Sequence, residues 1–216
     1  MKKTSFITAE LAGRRGGFTI VELMITLAVV AVVAALAAPN MRSFILNNRL
    51  TSTNNELLRS IQTARAEATK RQQNVVLCTS ADPTAAPTAT APSCSKTGIK
   101  GWIVFQDSNG DWDRSGATEE LIETHTFESD AMYLVADGSK RVSFAATGFA
   151  NPSGTTPATQ TRTSRIVMCD DRGNTTVSGQ STARGISIAQ TGRPSFTRNT
   201  ADISNYLSTI VSLCPP

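Results

Sequence analysis

The stretch GRRGGFTIVELMITLAVVAVVAALAAPN, Gly13 to Asn40, decides how the rest of the chain is read. From Phe18 to Ala38 it is apolar except for Thr19, Glu22 and Thr26. A bilayer core about 30 Å thick needs about 20 helical residues, so the run has spanning length. Lys2, Lys3, Arg14 and Arg15 precede it. Basic flanks stay on the cytoplasmic side, which places everything beyond Asn40 across the membrane. A secretory signal peptide is the competing reading. The long basic region, the Gly16-Gly17 pair ahead of the apolar run and the intruding Glu22 all argue against it. A carboxylate at bilayer depth is costly, and it marks a functional group or one awaiting a partner that neutralises it.

The basic character of the chain, with a pI near 9.1 and a net charge of +4, is concentrated at this end. Residues 1–17 carry +3 of it, and the remainder holds 17 basic and 16 acidic residues. That remainder is polarised. Gly101 to Asp137 contains nine acids and one base, Arg114, whereas Gly138 to Pro216 contains eight bases and three acids. With 40% hydrophobic and 18% charged residues, the sequence has enough apolar material to fold rather than stay disordered. A basic C-terminal third can attract an anionic partner if it gathers on one face, and reads as a solvated surface otherwise.

Beyond Pro39 a helical period continues through Leu46, Leu50, Thr53, Leu57, Ile61, Ala64 and Ala68, with Arg49, Arg59, Arg65 and Arg71 largely off the stripe. One helix from about Phe18 to about Arg71 is predicted, roughly 80 Å long. Its first part (18–39) is the membrane segment, and its second (40–72) is an amphipathic helix that packs on a globular domain (73–216). Pro39 should kink or locally open it. Short β-rich segments follow at Val75–Thr79, Trp102–Gln106, Leu121–Phe127, Met132–Val135, Arg141–Phe144, Arg165–Cys169, Arg184–Ala189 and Arg193–Thr197. Ala81–Pro92 and Asn151–Ser164, rich in Pro, Thr and Ala, read as exposed mobile loops. The fold class is α+β: a long helix against antiparallel strands in one sheet or two small ones.

Cys78, Cys94, Cys169 and Cys214 lie on the exported side, where disulfides persist. Of three possible pairings, Cys78 with Cys94 closes the Pro/Thr loop and Cys169 with Cys214 pins the C-terminus. Zinc is disfavoured, since there is no C-x-x-C and His125 is the only histidine. DSNGDWD, Asp107 to Asp113, resembles a calcium loop, but an EF-hand would need glycine sixth and glutamate twelfth, where Trp112 and Thr118 stand. Asn109-Gly110 is a tight-turn signal instead. Neither a phosphate-cradling glycine loop nor G-x-S-x-G is present, and His125 alternates with threonines as a strand residue does. No catalytic residue, metal site or cofactor is expected.

RRGGFTIVELMITLAVVAVVAALAAP resembles the class III signal of type IV pilins and type II secretion pseudopilins. The resemblance implies a leader of residues 1–17, cut by a prepilin peptidase between Gly17 and Phe18, and methylation of the new N-terminal Phe18. It implies that Glu22 is the assembly residue, which pairs with the N-terminal amine of a neighbouring subunit. Physical chemistry agrees with that role, because a carboxylate in lipid gains most from an ammonium supplied at the same depth. NVVLCTS, GWIVFQDSNGDWDRSGATEELI, RIVMCDDRGN and ARGISIAQTGRPSF are similar to the FimT/GspH family of minor pilins and pseudopilins.

Three roles follow from that resemblance. One is a minor pilin that primes or joins a type IV pilus, and another is a pseudopilin of type II secretion. The third is a minor pilin that binds double-stranded DNA for uptake. Its partners would be other pilins or pseudopilins, the prepilin peptidase and the inner membrane. The chain would be a single-pass protein of that membrane with its C-terminal domain in the periplasm, and later part of a pilus or pseudopilus. The family's DNA-binding members use a C-terminal G-R-x-R motif; here Gly192-Arg193-Pro194-Ser195 lacks the second arginine. Arg184, Arg193 and Arg198 are the residues that would have to serve. Arginine contacts to phosphates would be sequence-independent and salt-sensitive.

Overall fold

The computed structural model describes residues 17–88, 91–114, 119–127, 132–136, 141–151, 164–209 and 214. It resolves into two compact units, 1–44 and 45–216, taken here separately. The leader up to residue 16 and most of the Asn151–Ser164 loop lie outside the described residues.

One helix, α1, runs from Ile20 to Arg71 and continues through position 39; the Pro39 side chain is outside the described set. It starts at a reciprocal cap. Thr19 N–H and Oγ–H donate to Glu22 Oε2 at 2.9 and 3.0 Å, and Glu22 N–H donates back to Thr19 Oγ1 at 3.2 Å. This is a capping box: it satisfies donors that the first helical turn leaves without partners. Within the first unit, Ile20–Ala37 is long and apolar enough to cross a membrane, and none of it is buried.

In the second unit the helical stripe falls where the period placed it from Leu50 onward. Leu50, Thr53, Leu57, Ile61, Ala64 and Ala68 are all buried, whereas Leu46, the first residue of the predicted stripe, is only half-buried. Two four-stranded antiparallel sheets lie beneath. The strands are β1 (Asn74–Ser80), β2 (Gly101–Asp107), β3 (Leu121–Thr126), β4 (Met132–Ala136), β5 (Arg141–Phe144), β6 (Ser164–Asp170), β7 (Thr176–Val177), β8 (Gln180–Ser181), β9 (Arg184–Ile188) and β10 (Pro194–Thr197). The first sheet has the order β3-β2-β1-β5 and the second β10-β9-β6-β4, while β7 and β8 pair as a separate hairpin. Helix α2 (Thr200–Thr209) follows β10.

Period-two geometry sends alternate side chains to opposite faces, and here both faces are covered. Val75, Leu77, Trp102, Val104, Ile166 and Met168 meet the α1 stripe in the main core. Val76, Cys78, Ile103 and Phe105 face away from it and are covered by Cys94, Trp112 and Leu121. Val167, Cys169 and Ala183 do the same in the second sheet, beneath Ile203, Tyr206 and Leu207 of α2 and Cys214. Disulfides Cys78–Cys94 and Cys169–Cys214, with Cα separations of 5.6 and 6.0 Å, tie each outer layer down. Gly185 permits the close approach of α2: a Cβ there would stand 2.9 Å from Thr197 Cγ2 and 3.2 Å from both Ile203 and Tyr206 side chains.

Most described residues of the Ala81–Pro92 loop are exposed or half-buried, as expected, but Pro83 and Pro92 are buried. Arg114, only 6% exposed, donates to the carbonyls of Thr88 (2.9 Å), Ala91 (2.6 Å) and Pro92 (3.1 Å). A guanidinium reaching in from the acidic region holds this loop, and composition alone could not reveal it.

Candidate functional site: the N-terminal segment and the arginine faces

In the first unit the side chains of Phe18, Ile20, Val21, Leu23 and Met24 are exposed, Phe18 at 90%. Such an apolar surface is unstable in water and suits lipid or other apolar helices. Glu22 is the one ionisable group in it. Sequence reading assigned Glu22 to partner docking and missed its capping bond to Thr19, although the T-x-x-E spacing of Thr19 and Glu22 carries that signal.

The three candidate DNA-binding arginines occupy different environments. Arg184 is 2% exposed and sits under α1. Its Nη1 donates to the carbonyls of Ser181 (3.3 Å), Thr182 (2.9 Å) and Ala183 (3.2 Å). Burial, then Arg198, then Arg172 push its pKa down to about 10, which still leaves it charged at neutral pH. It cannot contact a phosphate from solution, so the expectation that it serves DNA is corrected. Its position in a β-branched stretch gave no hint of the inward turn.

Arg193 and Arg198 flank β10, five residues apart and roughly 16 Å apart at an extended rise of about 3.3 Å per residue. They do not form one patch. Arg198 is half-buried beside Arg184, whereas Arg193 is exposed. Arg193 lines an open groove with Gln62, Arg65, Thr69 and Lys70 of α1 and Gly148. Arg65 Nε donates to the Gly148 carbonyl at 3.0 Å. Gly192 is built into the same corner. Its φ is +77°, and a Cβ would fall 2.3 Å from the Gly148 oxygen. The glycine of the G-R pair is therefore demanded by packing and backbone conformation. Arg65, read from sequence only as lying largely off the apolar stripe, and Lys70, which sequence reading did not single out, join the groove from α1.

In the acidic loop, Asp107 accepts from Gly110 N–H (2.7 Å) and Trp112 N–H (3.3 Å), and Gly110 has φ of +79°. The turn expected at Asn109-Gly110 is present and is organised by the Asp107 carboxylate. Oxygens of Asp107, Asp111 and Glu119 lie within 4.8 Å of one another. Burial raises the Asp107 pKa, Glu119 and Asp111 add to the rise, and the two N–H bonds oppose it. His125, placed by sequence in a strand, stacks on Trp102 with ring centroids 4.0 Å apart. Its Nε2 lies 3.0 Å from Glu56 Oε2. Trp102 Nε1 donates to Ser60 Oγ at 3.0 Å, and Ser60 donates to Glu123 at 2.8 Å.

An apolar helix of spanning length, an acid near its start, and a helix-plus-antiparallel-sheet globular unit define a protein of the pilin type. Residues 13–38 match the prokaryotic N-terminal methylation motif. Residues 53–192 match the family described as type II transport protein GspH, and the chain belongs to that family. Among solved structures, the chain is similar to the type IV minor pilin FimU of Pseudomonas aeruginosa strain PAO1, at 19% identity in two crystal forms. In space group P21 the TM-score is 0.47, over 73% of this chain and 94% of that one. In P65 it is 0.44, over 70% and 94%. No match was found among curated proteins.

Proposed function

We propose that the chain is a minor pilin, made as a precursor and assembled into or priming a type IV pilus. A prepilin peptidase cuts between Gly17 and Phe18, Phe18 is methylated, and 18–39 anchors the protein in the inner membrane with the globular domain in the periplasm. Glu22 then meets the freed amine of a neighbouring subunit, and the membrane segment moves from lipid into the filament. Its role is structural, not catalytic. The observation that carries this reading is the exposed apolar helical segment with a single carboxylate, Glu22, as the third residue of α1. Such a surface needs apolar neighbours, and such an acid needs a cation at the same depth.

The GspH family match supports a second reading, as a pseudopilin of type II secretion. Deleting the gene in the native host separates the two. Loss of surface pili with normal enzyme secretion supports the pilus reading; normal pili with lost secretion contradicts it and supports the other. Double-stranded DNA as a partner rests on the groove of Arg65, Lys70 and Arg193, all exposed residues, of which Lys70 also pairs with Glu67 at 3.0 Å and Arg65 Nε donates to the Gly148 carbonyl. It no longer rests on Arg184.

A further inference from the structure

A second, smaller cavity of about 250 Å³ lies between α1, β9 and the residue after β10, wholly within the globular unit. Thr51, Asn54 and Leu58 of α1 line it, together with Arg184, Phe196 and Arg198. Two of these side chains are guanidiniums and none is a carboxylate. The nearby acid that acts on Arg184, Asp170, is already held by Arg172 through bonds of 2.6 Å from Nη2 and 3.0 Å from Nε. Among the described residues, the one anion acting on Arg184 is therefore already committed to Arg172, while two further guanidiniums act against it. Burying like charges without a counter-ion is unfavourable, and an anion entering the cavity relieves it.

The hydrogen-bonding inventory is unbalanced in the same place. Arg198 is fixed by its own backbone, whose carbonyl accepts from Ser181 N–H at 2.8 Å. Its Nε is nevertheless buried with no protein acceptor. Asn54 is 3% exposed, and its Oδ1 is buried with no protein donor. A charged donor and a neutral acceptor thus stand unmet around one small cavity, and each unmet buried group is costly. Leu58 and Phe196, the latter 48% exposed, supply apolar wall beside them. Arg184 Nη1 is turned to backbone carbonyls and its Nη2 donates to Thr51 Oγ1 at 3.4 Å, so it supplies field rather than contact.

We propose that this cavity is a carboxylate-binding site that takes an acidic side chain of another polypeptide. The carboxylate accepts from Arg198 Nε under the field of Arg184, a backbone N–H of the same ligand donates to Asn54 Oδ1, and the aliphatic stem rests on Leu58 and Phe196. The volume falls below the roughly 300–1,000 Å³ of pockets for larger ligands, which suits one side chain and not a nucleoside. The site uses the globular unit alone, so it stands or falls separately from the filament reading.

The test is an NMR titration of the isotope-labelled full chain in a non-ionic detergent, following the Arg198 Nε–H and Phe196 amide signals. The probes are glutamate blocked at both ends as amides, glutarate, inorganic phosphate, a short DNA duplex, and chloride at matched ionic strength. Blocked glutamate is expected to give saturable shifts, glutarate a weaker saturation, and phosphate, duplex and chloride only the shared linear response. Arg198→Gln should weaken blocked glutamate by about tenfold or more, as loss of a charged hydrogen bond implies. Arg193→Gln should leave it unchanged. The proposal is overturned if no probe saturates, if phosphate or duplex saturates as strongly as blocked glutamate, or if saturation survives in Arg198→Gln. Equal binding of glutarate and blocked glutamate overturns the assignment to a polypeptide.

Discussion

Replacing Arg114 with methionine tests whether the Cys78–Cys94 loop is part of the folded core. The substitution keeps much of the side-chain length and removes every donor. Three carbonyls lose a guanidinium bond, but unequally. The Ala91 carbonyl keeps a second donor, Thr88 N–H at 2.9 Å, and Thr88 is exposed enough for water to replace the arginine. Pro92 is buried, so its carbonyl is left unmet. One unmet buried acceptor costs about 1–3 kcal/mol, and the two weakened bonds add about 1 kcal/mol between them, for a total of about 2–4 kcal/mol. In a domain of this size each kcal/mol moves the midpoint by about 2–4 °C, so a drop of roughly 4–16 °C is expected. Thermal unfolding followed by circular dichroism, on the full chain in non-ionic detergent with disulfides intact, reads it directly. Arg114→Lys should recover only part of the loss, because one ammonium cannot span three carbonyls. A midpoint within about 2 °C of wild type in Arg114→Met would refute the claim that this residue pins the loop.

Glu22→Gln and Glu22→Ala separate assembly from capping. Glutamine can still accept from Thr19 but cannot neutralise an ammonium, so both variants should insert in the membrane and both should be depleted from sheared filaments; normal incorporation of the glutamine variant contradicts the docking role. For Asp107, the folded pKa is raised above the unfolded one, so the ionised folded form is penalised at neutral pH and the penalty is relieved as pH falls through the folded value. Wild type should therefore gain stability relative to Asp107→Asn between neutral pH and about pH 4; urea midpoints that shift the other way rule this out. Duplex DNA should bind weakly and lose affinity with added salt and in Arg193→Ala plus Lys70→Ala, as gel shifts would report; an affinity indifferent to both changes removes the groove from consideration.

Much of the fold was legible because two periodicities were strong. The Leu50–Ala68 stripe gave the core face of α1, and β-branched runs such as Asn74–Ser80 and Gly101–Asp107 gave the strands to within one residue. The second covering layer was less visible. Val76, Ile103 and Val167 are buried on the faces away from α1, by a disulfide loop and by α2, and an uninterrupted apolar strand does not say what covers its second side. Helix α2 went unread, although Asn199 Oδ1 accepts from Ala201 N–H (2.9 Å) and Asp202 N–H (3.3 Å) as a cap, with Ile203, Tyr206 and Leu207 at helical spacing. Short helices after a strand leave too few turns for a period to stand out. At the arginines, sequence gives charge but not direction. Arg184 and Arg193 look alike in the chain, and only tertiary packing turns one inward and the other out.

The central claim is that an acid set among apolar side chains finds its counter-charge in an amine created by proteolysis. Intact mass and N-terminal peptide mass spectrometry of the protein purified from its native membrane or filaments tests this most directly. The account predicts a chain that begins at Phe18 and carries one added methyl group on its amine. A retained leader, or a cut anywhere other than between Gly17 and Phe18, would contradict it.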